Sequence, residues 1–466
     1  MKDQIDRREF IRQGALAGLG AAGLTLSGGC RWLPDKSRMM MGVAPGGREV
    51  VKVGFVGIGN MGSAHVKNLL QIPNCQITAV CDIREERTAW AKNKITSAGY
   101  SEPSIYGRDD WDYKRMCDRE DLDLVYNAAP WRWHAPISLA AMACGKHAAS
   151  EVNLALTIDD CWKLVHTSER TRRHCIMMEN CCYDRMEMIV LNMIRQGVFG
   201  EILHGECGYL HDLRAHNLSS TGYQGMWRIK QMERLNGNTY PTHGIGPMAW
   251  CMDIHRGDAF DYLVSMNTPS TGINELANRL ADEAEDRQTR EHYASWAKKQ
   301  YAKGDVNITL IKTKLGKTII CKHDTSLSRP YSRDFLVQGS KGLLRKYPSE
   351  KVHIEGLTKN HEWEDMTSYN EKYLHPVWQN LEKQTAGMEL AGHGGMDYIE
   401  DYRLIQALRS GLVPDIDVYD SVAWSAIIPM SNDSSNHGSK QVKFPDFTRG
   451  QWKLKWPLQV DLVKVI

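Results

Sequence analysis

The chain reads as an α/β protein in two parts: a doubly wound parallel sheet comes first, followed by an α+β region built on a large, open, mostly antiparallel sheet. Three observations predict this. Residues 51–82 supply a strand, a glycine turn, a helix and a second strand in that order. The βα alternation then continues to about residue 180, and beyond it several strands follow with turn signals between them.

In the first unit, Gly57 permits a tight turn, Gly59 lets backbone approach a pyrophosphate, and Gly62 lets the helix pack on the strand. Asn60 and Met61 open that helix, whose N-terminus faces the phosphate charge. Asp82 ends the second strand at the spacing from which a carboxylate reaches the adenosine ribose hydroxyls. This is a Rossmann site. Because a carboxylate there repels a 2′-phosphate, the expected cofactor is NAD rather than NADP, with Arg84 close by as the opposing signal.

Later elements follow from apolar runs and their punctuation. Asp123–Ala128 reads as a buried strand, Ala135–Cys144 as a helix closed by Gly145, and Lys146–Glu151 as the next strand. Helix Ile158–Arg170 and strand His174–Glu179 complete the parallel sheet. In the second part, strands are expected over Glu201–Leu210, Val306–Lys312, Lys317–Asp324 and Arg333–Gly339. Asn274–Lys303 is charged and reads as inserted surface helices without chemistry, Ser431–Ser439 as a polar loop, and Trp452–Val465 as a terminal edge strand.

At the other end, Asp6-Arg7-Arg8-Glu9-Phe10-Ile11 precedes an apolar, small-residue stretch from Gly14 to Ser27, the layout of a twin-arginine export signal. The stretch is too short and glycine-rich for a membrane span. The expectation is export to the periplasm, with the cofactor loaded before translocation. Cys30 is a candidate lipid anchor, although Leu26 lies one position too far upstream for the usual motif. The expected domains are therefore a signal (1–30), a linker (31–48), a dinucleotide domain (49–180), a substrate and oligomerisation domain (181–430) and a C-terminal loop and strand (431–466).

Composition bounds the partners. A formal charge of +2 over 466 residues gives no nucleic-acid footprint, which leaves small-molecule chemistry. The 12 cysteines form no C-x-x-C pair and no zinc spacing, so no metal is expected. An exposed face of the second sheet would favour a homo-oligomer.

Trp131-Arg132-Trp133-His134 and Gly145-Lys146-His147 leading into Glu151-Val152, taken with the glycine motif, resemble the glucose-fructose oxidoreductase and inositol dehydrogenase superfamily. Dehydrogenases of that superfamily usually carry Glu-Lys-Pro where this chain has Glu151-Val152-Asn153. Glu-Val here, Met178–Tyr183, Met226-Trp227-Arg228, Tyr240–Gly244, Arg329–Arg333 and Gly392–Asp397 are instead similar to the NAD-dependent glycosidases of glycoside hydrolase family 109. The resemblance covers most of the chain. It implies transient oxidation of a sugar at C3, elimination across C1–C2, addition of water and return of the hydride, acting on terminal α-linked N-acetylgalactosamine or a related sugar of a glycan.

Roles follow from that chemistry. His243 would exchange the 3-hydroxyl proton. A tyrosine would remove the C2 proton, Tyr183 first and Tyr209 second, with Arg228 or the positive nicotinamide lowering the phenol. Arg228, Tyr209, Tyr240, Pro241, Thr242, His243 and Tyr331 would line the sugar. Trp131, Arg132, Trp133, His134, Glu151, Val152 and Asn180 would meet the nicotinamide side of the cofactor. Trp131 and Trp133 read equally well as core aromatics, leaving His134 the strongest of its group, and His393 and Asp397 read as loop braces. Two other readings compete: a sugar or polyol dehydrogenase, which needs a substitute for the missing lysine, and a non-catalytic binder.

Overall fold

Six parallel strands, β1 (Val51–Val56), β2 (Cys75–Cys81), β3 (Ser104–Tyr106), β4 (Leu124–Asn127), β5 (His147–Glu151) and β6 (Cys175–Met178), form the first sheet in the order β3-β2-β1-β4-β5-β6. The computed structural model describes residues 39–462 apart from Gly387 and Glu389. The twin-arginine segment and Cys30 lie outside the described residues. Strands β4 and β6 are buried along their whole length, as expected of parallel strands covered on both faces. The strand order reverses beside β1, so a crevice opens at the C-terminal ends of β1 and β4.

The second sheet has nine strands: β7 (Ile202–Leu210), β8 (Phe260–Asn267), β9 (Val306–Thr313), β10 (Thr318–Asp324), β11 (Leu336–Gly339), β12 (Gly342–Arg345), β13 (Lys351–Ile354), β14 (Glu364–Asp365) and β15 (Val442–Lys443). Their order is β14-β13-β12-β11-β7-β10-β9-β8-β15, antiparallel except where β7 and β10 run parallel. The helix Val418–Asn436 joins the two sheets. Its Ser421 Oγ accepts from Met177 N of β6 at 3.0 Å, and its Ser434 Oγ accepts from Ser265 N of β8 at 2.8 Å. The helix Met396–Ser410 returns the chain to the first sheet, where Asn68 donates to Asp401 at 3.2 Å.

Three expectations are corrected. Ser431–Ser439 is a helix as far as Asn436, because the Ser431 hydroxyl accepts from the loop amide of Asn238 and the Ser434 hydroxyl from Ser265 N of β8, so both are buried rather than solvated. Trp452–Val465 is no strand within the described residues: 3₁₀ turns at Gln451–Lys453 and Gln459–Leu462 flank Pro457, which has no N–H for a ladder. The edge position beside β8 belongs to β15 instead. Residues 274–303 are helical, Gly272–Glu283 and Arg287–Ala297, but not merely superficial. Ile273, Leu276 and Ala277 form a buried cluster with Leu218, Met226, Ile229 and Met232, and thereby brace the helix Trp227–Met232 that carries Arg228.

Candidate functional site

The glycine motif has the shape a dinucleotide needs. Gly57 has φ +83°, and a Cβ there would lie 2.5 Å from Ala129 N. At Gly62 a Cβ would lie 2.0 Å from Gly57 O, whereas at Gly59 it would meet nothing within 4 Å. Two glycines are thus required by packing, and the third faces open space at the N-terminus of helix Asn60–Leu69. Asp82 is fixed from both sides: Oδ2 accepts from Ile58 N at 2.7 Å and Oδ1 from Arg84 N at 3.0 Å. Arg84 turns its side chain onto the same carboxylate at 3.4 Å.

Beyond the far end of this groove stands an aromatic cage. Tyr240 stacks on Trp131 with centroids 5.4 Å apart and meets Tyr209 edge-on at 4.8 Å. His243 lies 4.8 Å from Tyr240 and 5.3 Å from Tyr209, centroid to centroid. Tyr331 and His211 close the next side, 5.1 Å apart, and the Tyr209 hydroxyl and His211 Nδ1 share a hydrogen bond of 3.0 Å. Arg228 is buried among these rings, its Cζ 4.6 Å from the Tyr240 centroid and 5.1 Å from Trp131. Nη1 donates to Tyr223 at 2.9 Å, while Nη2 has no hydrogen-bond partner among the described residues. A buried donor without an acceptor suits a ligand oxygen.

His243 enters the cage from the first turn of helix Thr242–Cys251, and its Nδ1 donates to Glu179 Oε1 at 2.7 Å. Glu179 is fully buried just beyond β6, and its Oε1 also accepts from Cys181 N at 3.2 Å. With Nδ1 held this way, the other ring nitrogen is left for a substrate. Burial pushes the Tyr209 hydroxyl up to about 12 against the opposing pull of Arg228. The same two influences, burial and then Arg228, hold the His211 imidazole below its ordinary value.

Several sequence expectations change here. Tyr183 does not join the cage: its hydroxyl donates to Asp415 at 3.1 Å and its ring packs on Trp250. Successive residues of the 3₁₀ turn Asn180–Tyr183 point in different directions, which carries Tyr183 away from His243. Burial also holds its phenol well above the ordinary value. Pro241 and Thr242 are buried at the start of helix Thr242–Cys251, where Thr242 Oγ1 has no hydrogen-bond partner among the described residues.

On the nicotinamide side, His134 is a brace, with Nδ1 and Nε2 each 2.6 Å from the carbonyls of Asn153 and Ala129. Arg132 faces solvent near Asp110, and Trp133 packs on Trp111 and Tyr113. Val152 is buried, and Asn180 donates to Asp397 at 2.5 Å. Asp397 in turn binds His393 at 3.0 Å, the bracing role read for both.

Sequence reasoning missed Glu179, His211, Tyr223 and Trp227. Glu179 and Trp227 lay inside quoted motifs, and His211 stands two residues after Tyr209 at a strand end; nothing local marked Tyr223. Glu179, Cys181 and His243 bring one ligand-type atom each within 4.8 Å of one another, but Arg333 Nη1 already contacts the Cys181 sulfur at 3.3 Å, so a cation is in place there.

Residues 183–454 match the family model described as "Glycosyl hydrolase 109, C-terminal domain", and residues 51–179 match "Oxidoreductase family, NAD-binding Rossmann fold". A "Glycosyl hydrolase family 109 protein" of Saccharopolyspora erythraea is 42% identical, covering 97% of this chain and 96% of its own length. One from Solibacter usitatus is also 42% identical, over 98% of this chain and 100% of its own. Among solved structures, an NAD binding oxidoreductase from Klebsiella pneumoniae superimposes with a TM-score of 0.63 at 14% identity, covering 86% of this chain and 100% of its own. The scyllo-inositol dehydrogenase of Lactobacillus casei, solved with NAD(H) and scyllo-inositol, gives 0.57 at 13%, covering 84% and 99%. At such identities these structures share the fold.

Proposed function

Because the chain belongs to glycosyl hydrolase family 109 and is built on an NAD-binding Rossmann domain, we propose that it is an exported glycosidase releasing terminal α-linked N-acetylgalactosamine, or a related hexosamine or hexose, from glycans. The observation that carries this reading is the buried Glu179 carboxylate holding the His243 imidazole inside the tyrosine and arginine cage.

Bound NAD supplies a hydride acceptor and donor for C3 of the sugar. His243, oriented by Glu179, takes the 3-hydroxyl proton and later returns it. Tyr209 removes the C2 proton once the ketone has made it acidic, with the Arg228 guanidinium lowering the cost of the phenolate. Arg228 Nη2 and the Tyr331 hydroxyl hold sugar oxygens, and Trp131 and Tyr240 form an apolar wall. Loss of the aglycone and addition of water complete hydrolysis without a carboxylate pair across the bond.

The dehydrogenase reading lacks its ammonium. Val152 stands where that lysine would be, and the amide of the neighbouring Asn153 donates to Thr239 O at 3.2 Å, bracing the loop before Tyr240. The open face of the second sheet supports a homodimer: Met266 pairs with Ile308 and Val264 with Leu310 across β8 and β9, and Met266, Ile308 and Leu310 are exposed. Release of nitrophenol from nitrophenyl α-N-acetylgalactosaminide without accumulating NADH is the expected result. NADH accumulating on free sugars without release would favour the dehydrogenase.

A further inference from the structure

At the C-terminal end of β5 a chain of charged groups runs inward from the cofactor groove. Glu151 is partly open to the groove, and its Oε1 accepts from His65 Nε2 at 2.8 Å. The opposite nitrogen, His65 Nδ1, lies 2.9 Å from Asp401 Oδ2, and Asp401 also accepts from Tyr126 at 2.9 Å and Asn68 at 3.2 Å. His65 and Asp401 are completely buried. Asp397, braced by Asn180 and His393, adds a further carboxylate near Glu151.

This arrangement is more than a fold contact, because an ordinary core would not place carboxylates on both sides of one imidazole. Burial alone would neutralise His65, but Asp401 and Glu151 outweigh it and hold the ring protonated. Burial likewise works against the Glu151 charge, yet the His65 bond prevails and keeps Glu151 below the usual carboxylate range. Glu400 beside them is held neutral by burial, both its oxygens being without hydrogen-bond partners among the described residues. Of Glu151, His65 and Asp401, only the Glu151 side chain is open at all, so its carboxylate is the charge of this chain that the groove meets.

Glu151 ends the strand next to β4, on the side of the sheet away from Asp82, where the nicotinamide half of a dinucleotide lies in this fold. An oxidised nicotinamide ring is positively charged and a reduced one is neutral. We propose that Glu151, held as a carboxylate by the His65–Asp401 pair, makes the groove prefer oxidised to reduced cofactor, so that a hydride taken from the sugar is readily given back. The idea rests on the glycosidase reading. There the electron pair removed from C3 returns to C3 within one cycle, no outside oxidant is consumed, and cofactor left reduced would stop the enzyme.

The test reads binding alone, so it stands apart from whether any glycan is cleaved. NAD and NADH are competed on the full-length protein, with NADH fluorescence as the signal and ADP-ribose as a ligand lacking the nicotinamide. Glu151→Gln, and independently Glu151→Ala, are expected to lower the preference for NAD over NADH by about tenfold, the effect of one charge at short range in a partly buried site, while leaving ADP-ribose affinity unchanged. An unchanged preference in either variant overturns the proposal. So does a loss of ADP-ribose affinity equal to the loss of NAD affinity, which would reduce Glu151 to a structural support.

Discussion

The Nδ1 of His243 and the Oε1 of Glu179 lie 2.7 Å apart, one residue at the start of a helix in the second part of the chain and the other just past the last strand of the first sheet. The contact ties the sugar cage to the dinucleotide sheet. His243→Ala is therefore expected to lower kcat by about a hundredfold or more while NAD binding stays intact. Glu179→Gln keeps the shape of the carboxylate but not its charge, and should cost a comparable factor. Steady-state kinetics beside the bound NAD content checks both, and full activity in Glu179→Gln would remove the carboxylate from the account.

Tyr209 and Tyr183 part ways in the same manner. Tyr209→Phe should reduce exchange of the sugar C2 proton by about a hundredfold. Tyr183→Phe removes a buried hydroxyl from Asp415, which Arg403 still grips at 2.6 Å, so it should cost about 1 kcal/mol of stability and leave exchange in place. Proton exchange followed by NMR, with thermal melting of each variant, separates the two. Loss of exchange in Tyr183→Phe would return the base to that residue.

Three buried histidines set a limit on acid tolerance. Burial, first of all, lowers His147 to about 3 and His174 and His375 to about 4. The unfolded chain takes up these protons from about pH 6.5 downward, whereas the folded chain does so only near 3 to 4. Stability is thus full above pH 6.5 and falls as pH drops through that window. Melting temperature measured from pH 7.5 to 4 should decline continuously, and a flat profile would contradict the assignment of neutral rings.

The exposed apolar rows on β8 and β9 should bury themselves against a second copy. Leu310→Asp places a charge in the middle of that face, beside Val264 on β8 and Ile320 on β10. Sedimentation is expected to change from dimer to monomer with the cofactor still bound. A monomeric wild-type protein would end the proposal.

The first sheet was legible because its signals are local. The strand expected at Asp123–Ala128 is observed at Leu124–Asn127, and the helix expected at Ile158–Arg170 at Ile158–Thr171. Glycine spacing and the acid at Asp82 are equally short-range. The site was legible only in part. His243, Arg228, Tyr209, Tyr240 and Tyr331 do converge, but the direction of each side chain depends on packing between distant segments. Tyr183 shares a four-residue turn with Asn180 and still faces Asp415, 232 residues later. The serines at the end of helix Val418–Asn436 looked like a loop because polarity alone does not reveal that their partners are backbone amides of distant segments.

The most direct test is hydrolysis of nitrophenyl α-N-acetylgalactosaminide in deuterated water, with mass spectrometry of the released sugar. One deuterium at C2, with no net NADH, is the predicted result, because oxidation at C3 followed by elimination exposes that carbon to solvent protons. Release of sugar with protium retained at C2 would contradict elimination across C1–C2.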